Sequence, residues 1–385
     1  MNSVRVFIYV QHLLGIGHLM RTNEIVRAMR SLGIHVTYAI GGFVHPFAEF
    51  RDAEIIQLPP VRTADPSFKN LVGKNGISVG KNWRRDRKHI LLKAFEAADP
   101  DVLVIETFPF GRWPFRFELL PLLEVARRRA HIVCSVRDVL VAKRERRRLD
   151  AIIQLIREYF ELVLVHGDPE LVRFERTFPR IRELGGKIQY TGYISSFSRR
   201  PFRTEISLAS GPNEIVVSAG GGATGGHLMC TAHAACKQVN GIEARWRFLV
   251  GPNMPKGDSD MLSSGPNFTV EQVREDFQDL LSRSVASISQ AGYNTVMDAI
   301  AARCRMLLVP FEGNDQSEQL LRARLLSDRG VAHLIRAREL TPSKLANAVE
   351  KVVAGPCPNF SELNLQGAAT TANLIAQLAT MPRPG

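Results

Sequence analysis

Residues 215–226, IVVSAGGGATGG, decide how the rest of the chain is read. Ile215, Val216 and Val217 open a short apolar run ending at Ala219, the pattern of a strand buried on both faces. Five glycines then fall within the seven residues 220–226, and an apolar helix pattern begins near His227. Each glycine costs backbone entropy, and a plain strand-to-helix turn needs only one or two. A row of backbone N–H groups curled around a phosphate or pyrophosphate is a physical reason to keep all five, with Gly220, Gly221, Gly222 and Thr224 as the binding residues. A strand feeding a helix through a glycine loop is one unit of a parallel α/β sheet, and the same alternation runs along the whole chain. Strands are predicted at 4–10, 35–40, 55–58, 102–106, 132–136, 162–166 and 188–191. The pattern restarts at 215–219, 247–250, 285–289, 306–309 and 331–335.

At 385 residues the chain is long enough for two domains. The expected division is an N-terminal Rossmann-like domain over 1–195 and a polar linker over 196–212 carrying Pro201, Gly211 and Pro212. A second domain follows over 213–360. Residues 361–385 form a helix and tail that can pack back on the first domain. The loops 59–83 and 251–267 have no pattern of their own.

Three further strand ends carry unusual residues, where open parallel sheets bind their ligands. The first is Gly15-Ile16-Gly17-His18-Leu19-Met20-Arg21. Its glycines let the backbone approach a ligand, the helix start can meet an anion, and His18 is a candidate general base. Met20 stands where a dinucleotide fingerprint needs its third glycine. Gly15, Gly17 and Arg21 are assigned to the acceptor or phosphate side. The second is Ser289-Gln290-Ala291-Gly292-Tyr293-Asn294-Thr295, with Asn294 expected to cap the next helix and Asp298 about one turn in. A carboxylate there can accept from both ribose hydroxyls. The third runs from Pro310 to Gln319, a polar loop suited to several hydroxyls. Glu106, ending a predicted strand beside an apolar loop, is a second candidate acid or base.

The residues from Ser289 to Gly330, with AGYNT, Asp298, LLVPF and the Glu318-Gln319 pair before RA, resemble glycosyltransferase family 28, the family of the lipid II-forming N-acetylglucosaminyltransferase. The GxGHxxR opening at Gly15–Arg21 fits the other half of the same GT-B architecture. The resemblance implies an α/β fold of two Rossmann-like parallel-sheet domains facing across a cleft. It also implies metal-independent, inverting transfer of a hexosyl or N-acetylhexosaminyl group from a nucleotide-sugar, a UDP-sugar above all, without a cofactor. By position, Asp298 stands where the family has a ribose-binding Glu, and Glu318 and Gln319 stand on a Gln-Gln pair that contacts the sugar. Gly220–Gly226 and Ala291–Gly292 border the diphosphate, with Gln290, Asn294 and Thr295 beside them. His18 stands on an active-site His. Hydrolysis or epimerisation of a nucleotide-sugar on the same scaffold, and non-catalytic nucleotide-sugar binding, stay open.

The net charge of +12 is unevenly placed. Residues 1–200 hold 33 basic and 21 acidic side chains, and residues 201–385 hold 17 of each. The excess clusters at Lys81, Arg84, Arg85, Arg87 and Lys88, at Arg127–Arg129, and at Lys143, Arg144 and Arg146–Arg148. Arg112-Trp113-Pro114-Phe115-Arg116-Phe117 interleaves aromatics with arginines. Such clusters suit an anionic or lipid-linked acceptor, contact of the N-terminal domain with a membrane surface, or plain solvated helix faces. No nucleic-acid module is present, so nucleic acid is not an expected partner. No apolar run approaches a membrane span. The opening segment, broken by Arg5, Gln11 and His12, does not read as a signal peptide. Five cysteines without CxxC spacing point to reduced thiols and a cytoplasmic protein, with association at the inner membrane face left open.

Overall fold

The computed structural model describes residues 3–13, 15–44, 53–63, 70–141, 145–195, 213–221, 224–274, 276–313 and 318–383. The expected linker, 196–212, lies outside them, as do Gly222, Lys143 and Arg144. The chain divides into two units, Met1–Ile194 with Gln366–Gly385, and Ser195–Leu365.

Unit 1 is built on strands β1 (Arg5–Val10), β2 (His35–Ile40) and β3 (Glu54–Gln57), a short hairpin of β4 (Arg62–Thr63) and β5 (Leu71–Val72), and then β6 (Val102–Glu106), β7 (His131–Arg137), β8 (Leu162–His166) and β9 (Ile188–Tyr190). Its helices are α1 (Gly17–Ser31), α2 (Lys81–Ala98), α3 (Arg116–Ala126) and α4 (Arg146–Tyr159). Seven strands form one parallel sheet in the order β3-β2-β1-β6-β7-β8-β9. The central strands are apolar along their length because both faces are covered. In β1, Phe7 and Tyr9 pack on one side with Leu91 and Phe95 of α2 and Leu119 and Leu122 of α3. Val6, Ile8 and Val10 pack on the other with Leu19, Val26 and Met29 of α1.

Unit 2 contains β10 (Glu214–Ser218), α5 (Gly226–Ala235), β11 (Arg245–Val250), α6 (Lys256–Asp260), β12 (Phe268–Gln272), α7 (Phe277–Arg283), β13 (Ser284–Ser289), α8 (Tyr293–Ala301), β14 (Met306–Leu308), α9 (Glu318–Asp328), β15 (His333–Leu334) and α10 (Pro342–Ala354). Its six strands are parallel in the order β12-β11-β10-β13-β14-β15. The last helix, α11 (Gly367–Ala379), returns to unit 1, where Ala372, Ile375 and Leu378 join the α1 side of the core. Its first residue has to be small, because a Cβ on Gly367 would stand 2.6 Å from the Tyr193 carbonyl oxygen. The Gly367 N–H donates to that same oxygen at 2.9 Å.

The strands expected from the sequence are present to within a few residues. The structure adds the β4–β5 hairpin inside one patternless loop, and α6 inside the other with β12 directly after it. One basic cluster needs correction. Arg87 belongs to neither a solvated face nor an open cationic patch; it is fully buried in unit 1. Its Nε donates to Glu118 Oε2 at 2.8 Å and its Nη2 to Glu118 Oε1 at 2.9 Å. Nη1 donates to the carbonyls of Gly41 (3.0 Å) and Pro59 (2.7 Å), and Nη2 also to Gln11 Oε1 (2.6 Å). Tyr9 Oη donates to the same Glu118 carboxylate at 2.6 Å. This network ties the ends of β1 and β2 to α2 and α3, and so fixes where the loop after β1 departs. Removing one partner of a buried ion pair leaves the other charge uncompensated. Glu118→Ala is therefore expected to destabilise unit 1 by about 3–5 kcal/mol, read as an earlier unit 1 transition in urea; an unchanged midpoint would contradict the assignment.

Candidate active site

In each sheet the strand order reverses at one place: between β1 and β6 in unit 1, and between β10 and β13 in unit 2. Crossover connections leave such a point in opposite directions, which opens a crevice at the strands' carboxyl ends. Residues 15–21 and Glu106 lie at the first point, and the described residues of 218–226 and 289–298 at the second; Glu318 and Gln319 follow β14, one strand further along the sheet.

At the unit 1 point, Gly15 precedes α1 and has open space where a Cβ would stand, so packing does not demand a glycine there. Gly17 opens the helix and His18 is its second residue. Glu106 ends β6 and is fully buried. The two meet, with His18 Nδ1 2.8 Å from Glu106 Oε1. Arg21, one turn further along α1 and also buried, donates to the same oxygen in an ion pair. An ionised carboxylate can only accept, so Nδ1 carries the proton and Nε2 keeps its lone pair. Burial alone would raise the Glu106 pKa; the hydrogen bond from His18 and the charge of Arg21 outweigh it and hold the carboxyl far below the usual range. Burial lowers His18 to about 3 against the opposing pull of Glu106, so the imidazole is neutral at ordinary pH. Glu106 Oε2 is buried without a hydrogen-bond partner among the described residues. Thr107, directly after Glu106, has φ 68°. For a β-branched residue this is a strained conformation, held here by its N–H donating to the Ser135 carbonyl at 2.7 Å.

At the unit 2 point, Ser218 of β10 pairs with Ser289 of β13, so the loops that follow emerge side by side. They are joined: Gln290 Nε2 donates to the Thr224 carbonyl at 2.9 Å. Gly220 has φ +59°, a left-handed conformation that favours glycine. The Gly221 carbonyl accepts from Asn253 N at 3.0 Å. Gly226 starts α5, where a Cβ would overlap the Asp258 carboxylate, and no side chain caps this helix. Gly292, in contrast, has open space at its Cβ position. Asn294 does not cap the following helix; Gly292 is the N-cap, and Asn294 lies inside α8 with Thr295. Asp298 is buried on α8 and accepts from Ser195 Oγ at 3.1 Å. On α9, Glu318 opens the helix, and Gln319 Oε1 accepts from the Phe311 N–H at 2.9 Å. Residues 314–317 of this loop lie outside the described residues.

Sequence reading missed Arg322. Buried on α9, it donates through Nη1 to the Ala291 carbonyl at 2.8 Å and lies over the Tyr293 ring. Its signal was the arginine directly after the Glu318-Gln319-Leu320-Leu321 run. Among the described residues, no three His, Cys, Asp or Glu side chains group as a metal site. None of the described helices is long and apolar enough to cross a membrane.

Residues 229–378 match the glycosyltransferase family 28 C-terminal domain. Over 182 residues, 47% of the chain, it is 28% identical to a UDP-N-acetylglucosamine--N-acetylmuramyl-(pentapeptide) pyrophosphoryl-undecaprenol N-acetylglucosamine transferase of Thermotoga neapolitana, and spans half of that enzyme's length. The fold is similar to Acinetobacter baumannii MurG, with TM-score 0.60 and 15% identity over 98% of this chain and all of that one. It is also similar to the glycosyltransferase VinC in complex with dTDP, with TM-score 0.64 and 14% identity over 98% and 99% of the two chains. The GT-B fold and the family 28 resemblance read from the sequence are thereby borne out.

The geometry at His18 makes a direct prediction. In nitrogen NMR of histidine-labelled protein, His18 should carry its proton on Nδ1 and titrate well below the ordinary imidazole value of about 6.5. A His18 protonated on Nε2, or titrating normally, would contradict the Glu106 contact.

Proposed function

From a family 28 C-terminal domain over residues 229–378 on a GT-B fold, we propose that this protein is a glycosyltransferase. It moves a hexosyl or N-acetylhexosaminyl group from a UDP-sugar to a hydroxyl of an anionic or lipid-linked acceptor. The observation that carries this reading is His18 Nδ1 on Glu106 Oε1, with the carboxylate also held by Arg21. A neutral histidine whose inner nitrogen is donated to a fixed carboxylate presents its outer nitrogen as a base. As the acceptor oxygen bonds to the anomeric carbon, its proton passes to His18 Nε2. The bond from that carbon to the diphosphate breaks, and its electron pair leaves on the nucleotide. Glu106 stabilises the imidazolium that forms and does not itself take the proton, because Arg21 keeps it ionised. Direct displacement of this kind inverts the anomeric centre.

Unit 2 takes the donor. Backbone N–H groups of residues 220–226 and the start of α5 meet the charge that grows on the leaving diphosphate, so the step proceeds without a metal. Gln290, Ala291, Gly292, Asn294 and Thr295 line the same strand end. Asp298 receives the ribose, and Glu318 and Gln319 the sugar hydroxyls. The Thermotoga enzyme supports donor and acceptor classes of this kind, since its name gives UDP-N-acetylglucosamine and an undecaprenol-linked acceptor. The dTDP in the VinC structure supports a nucleoside diphosphate. Exposed Arg84, Arg85, Arg146 and Arg147 give the N-terminal unit a cationic surface for a membrane-borne acceptor, which fits a cytoplasmic protein peripheral at the inner face.

Nucleotide-sugars should be screened for thermal stabilisation, and the binder then assayed for turnover with and without a lipid extract. UDP-sugar turnover rising with acceptor is expected; complete turnover in water alone would replace transfer by hydrolysis. His18→Ala should lower turnover by roughly 10²–10⁴ with donor binding unchanged, and an equally active variant would remove the base. Asp298→Ala should weaken donor binding, and unchanged affinity would remove the ribose contact.

A further inference from the structure

Buried guanidinium groups in this protein have partners. Arg87 has Glu118, Arg21 has Glu106, and Arg322 has the Ala291 carbonyl. Arg112 differs from all three. Half-buried in the loop after β6, it donates only through Nε, to the Gln11 carbonyl at 2.6 Å. Among the described residues it has no carboxylate within ion-pair distance. Glu106 is near enough to feel its charge, but that carboxylate is already shared by Arg21 and His18. Arg21 and Arg137 lie near enough to repel it.

The side chain is also held in place. Arg112 has φ 57°, a left-handed conformation unfavourable for a residue with a Cβ, and its carbonyl accepts from Phe115 N at 2.9 Å. The inner edge of the guanidinium is pinned on the loop that leads from β1 to His18. Its outer fork, Nη1 and Nη2, is left without a protein acceptor among the described residues. Burial pulls the Arg112 pKa down from its ordinary value, against the partial compensation of the Glu106 charge. A pinned guanidinium whose outer fork has no protein acceptor among the described residues is suited to bidentate capture of an oxyanion.

We infer that Arg112 is the anion-reading residue of the unit 1 site, receiving a phosphate or carboxylate group of the acceptor and so setting its hydroxyl beside His18 Nε2. This rests on the glycosyltransferase reading for the word acceptor, while the anion site itself does not require turnover. It also separates two arginines that composition alone counts together: Arg87 holds the fold and Arg112 holds ligand.

The test uses the full chain with labelled histidine, titrated with inorganic phosphate and, separately, with acetate, while the His18 nitrogen signals are followed. Saturable movement of those signals is expected, and the tighter of the two ions names the group. Arg112→Gln should weaken the phosphate midpoint roughly tenfold or more, and Arg112→Lys should fall between, since it keeps the charge and loses the fork. No saturable shift in the wild type, or an unchanged midpoint in Arg112→Gln, overturns the inference. If Arg112→Gln does not fold, an unchanged midpoint in Arg112→Lys overturns it instead. A chain that binds phosphate through Arg112 and never turns over a UDP-sugar keeps this site and loses the transferase reading; turnover with Arg112-independent phosphate binding does the reverse.

Discussion

One ionised carboxylate organises the N-terminal site. Glu106 is fully buried at the end of a central strand, where a lone charge would be very costly. It stays charged because Arg21 reaches it from the first turns of α1, and that same contact brings His18 within 2.8 Å. Arg21 thus does two things at once. It compensates the charge, and by keeping Glu106 ionised it leaves the imidazole as the base of the proposed transfer. The strained Thr107 next in the chain is the local cost of turning sharply away from this carboxylate.

The two sheets put chemistry at corresponding places because parallel topology leaves few alternatives. Each has a reversal of strand order, and each reversal carries a glycine-bearing loop that runs into a helix start. Unit 1 adds titratable side chains to that geometry. Unit 2 adds mostly backbone and amides, joined through Gln290 and Thr224. This division agrees with the charge: surplus cations lie in the first half, and the second half is balanced.

Central strands were legible in the sequence because burial on both faces makes them continuous apolar runs; 35–40, 102–106 and 162–166 are found at the expected bounds. Short or half-exposed pieces were not. The hairpin β4–β5 has two residues per strand, and β12, FTVEQ, is a half-buried edge strand whose polar residues hide the pattern. The candidate histidine and glutamate were each visible, but their contact joins positions 88 residues apart and only the β1–β6 pairing creates it. The burial of Arg87 is hidden from the sequence for the same reason, since its carboxylate partner is on another helix. Asn caps helices well, which makes Asn294 the expected cap, whereas the backbone places Gly292 there.

The return of α11 to unit 1 has a consequence for how the chain is made. Leu19, Val26 and Met29 of α1 share their core with Ala372, Ile375 and Leu378, residues synthesised only after all of unit 2. At translation rates of about 5–20 residues per second, the rest of unit 1 waits roughly ten to forty seconds with that apolar strip uncovered. The second unit can close first, so the order of completion reverses the order of synthesis.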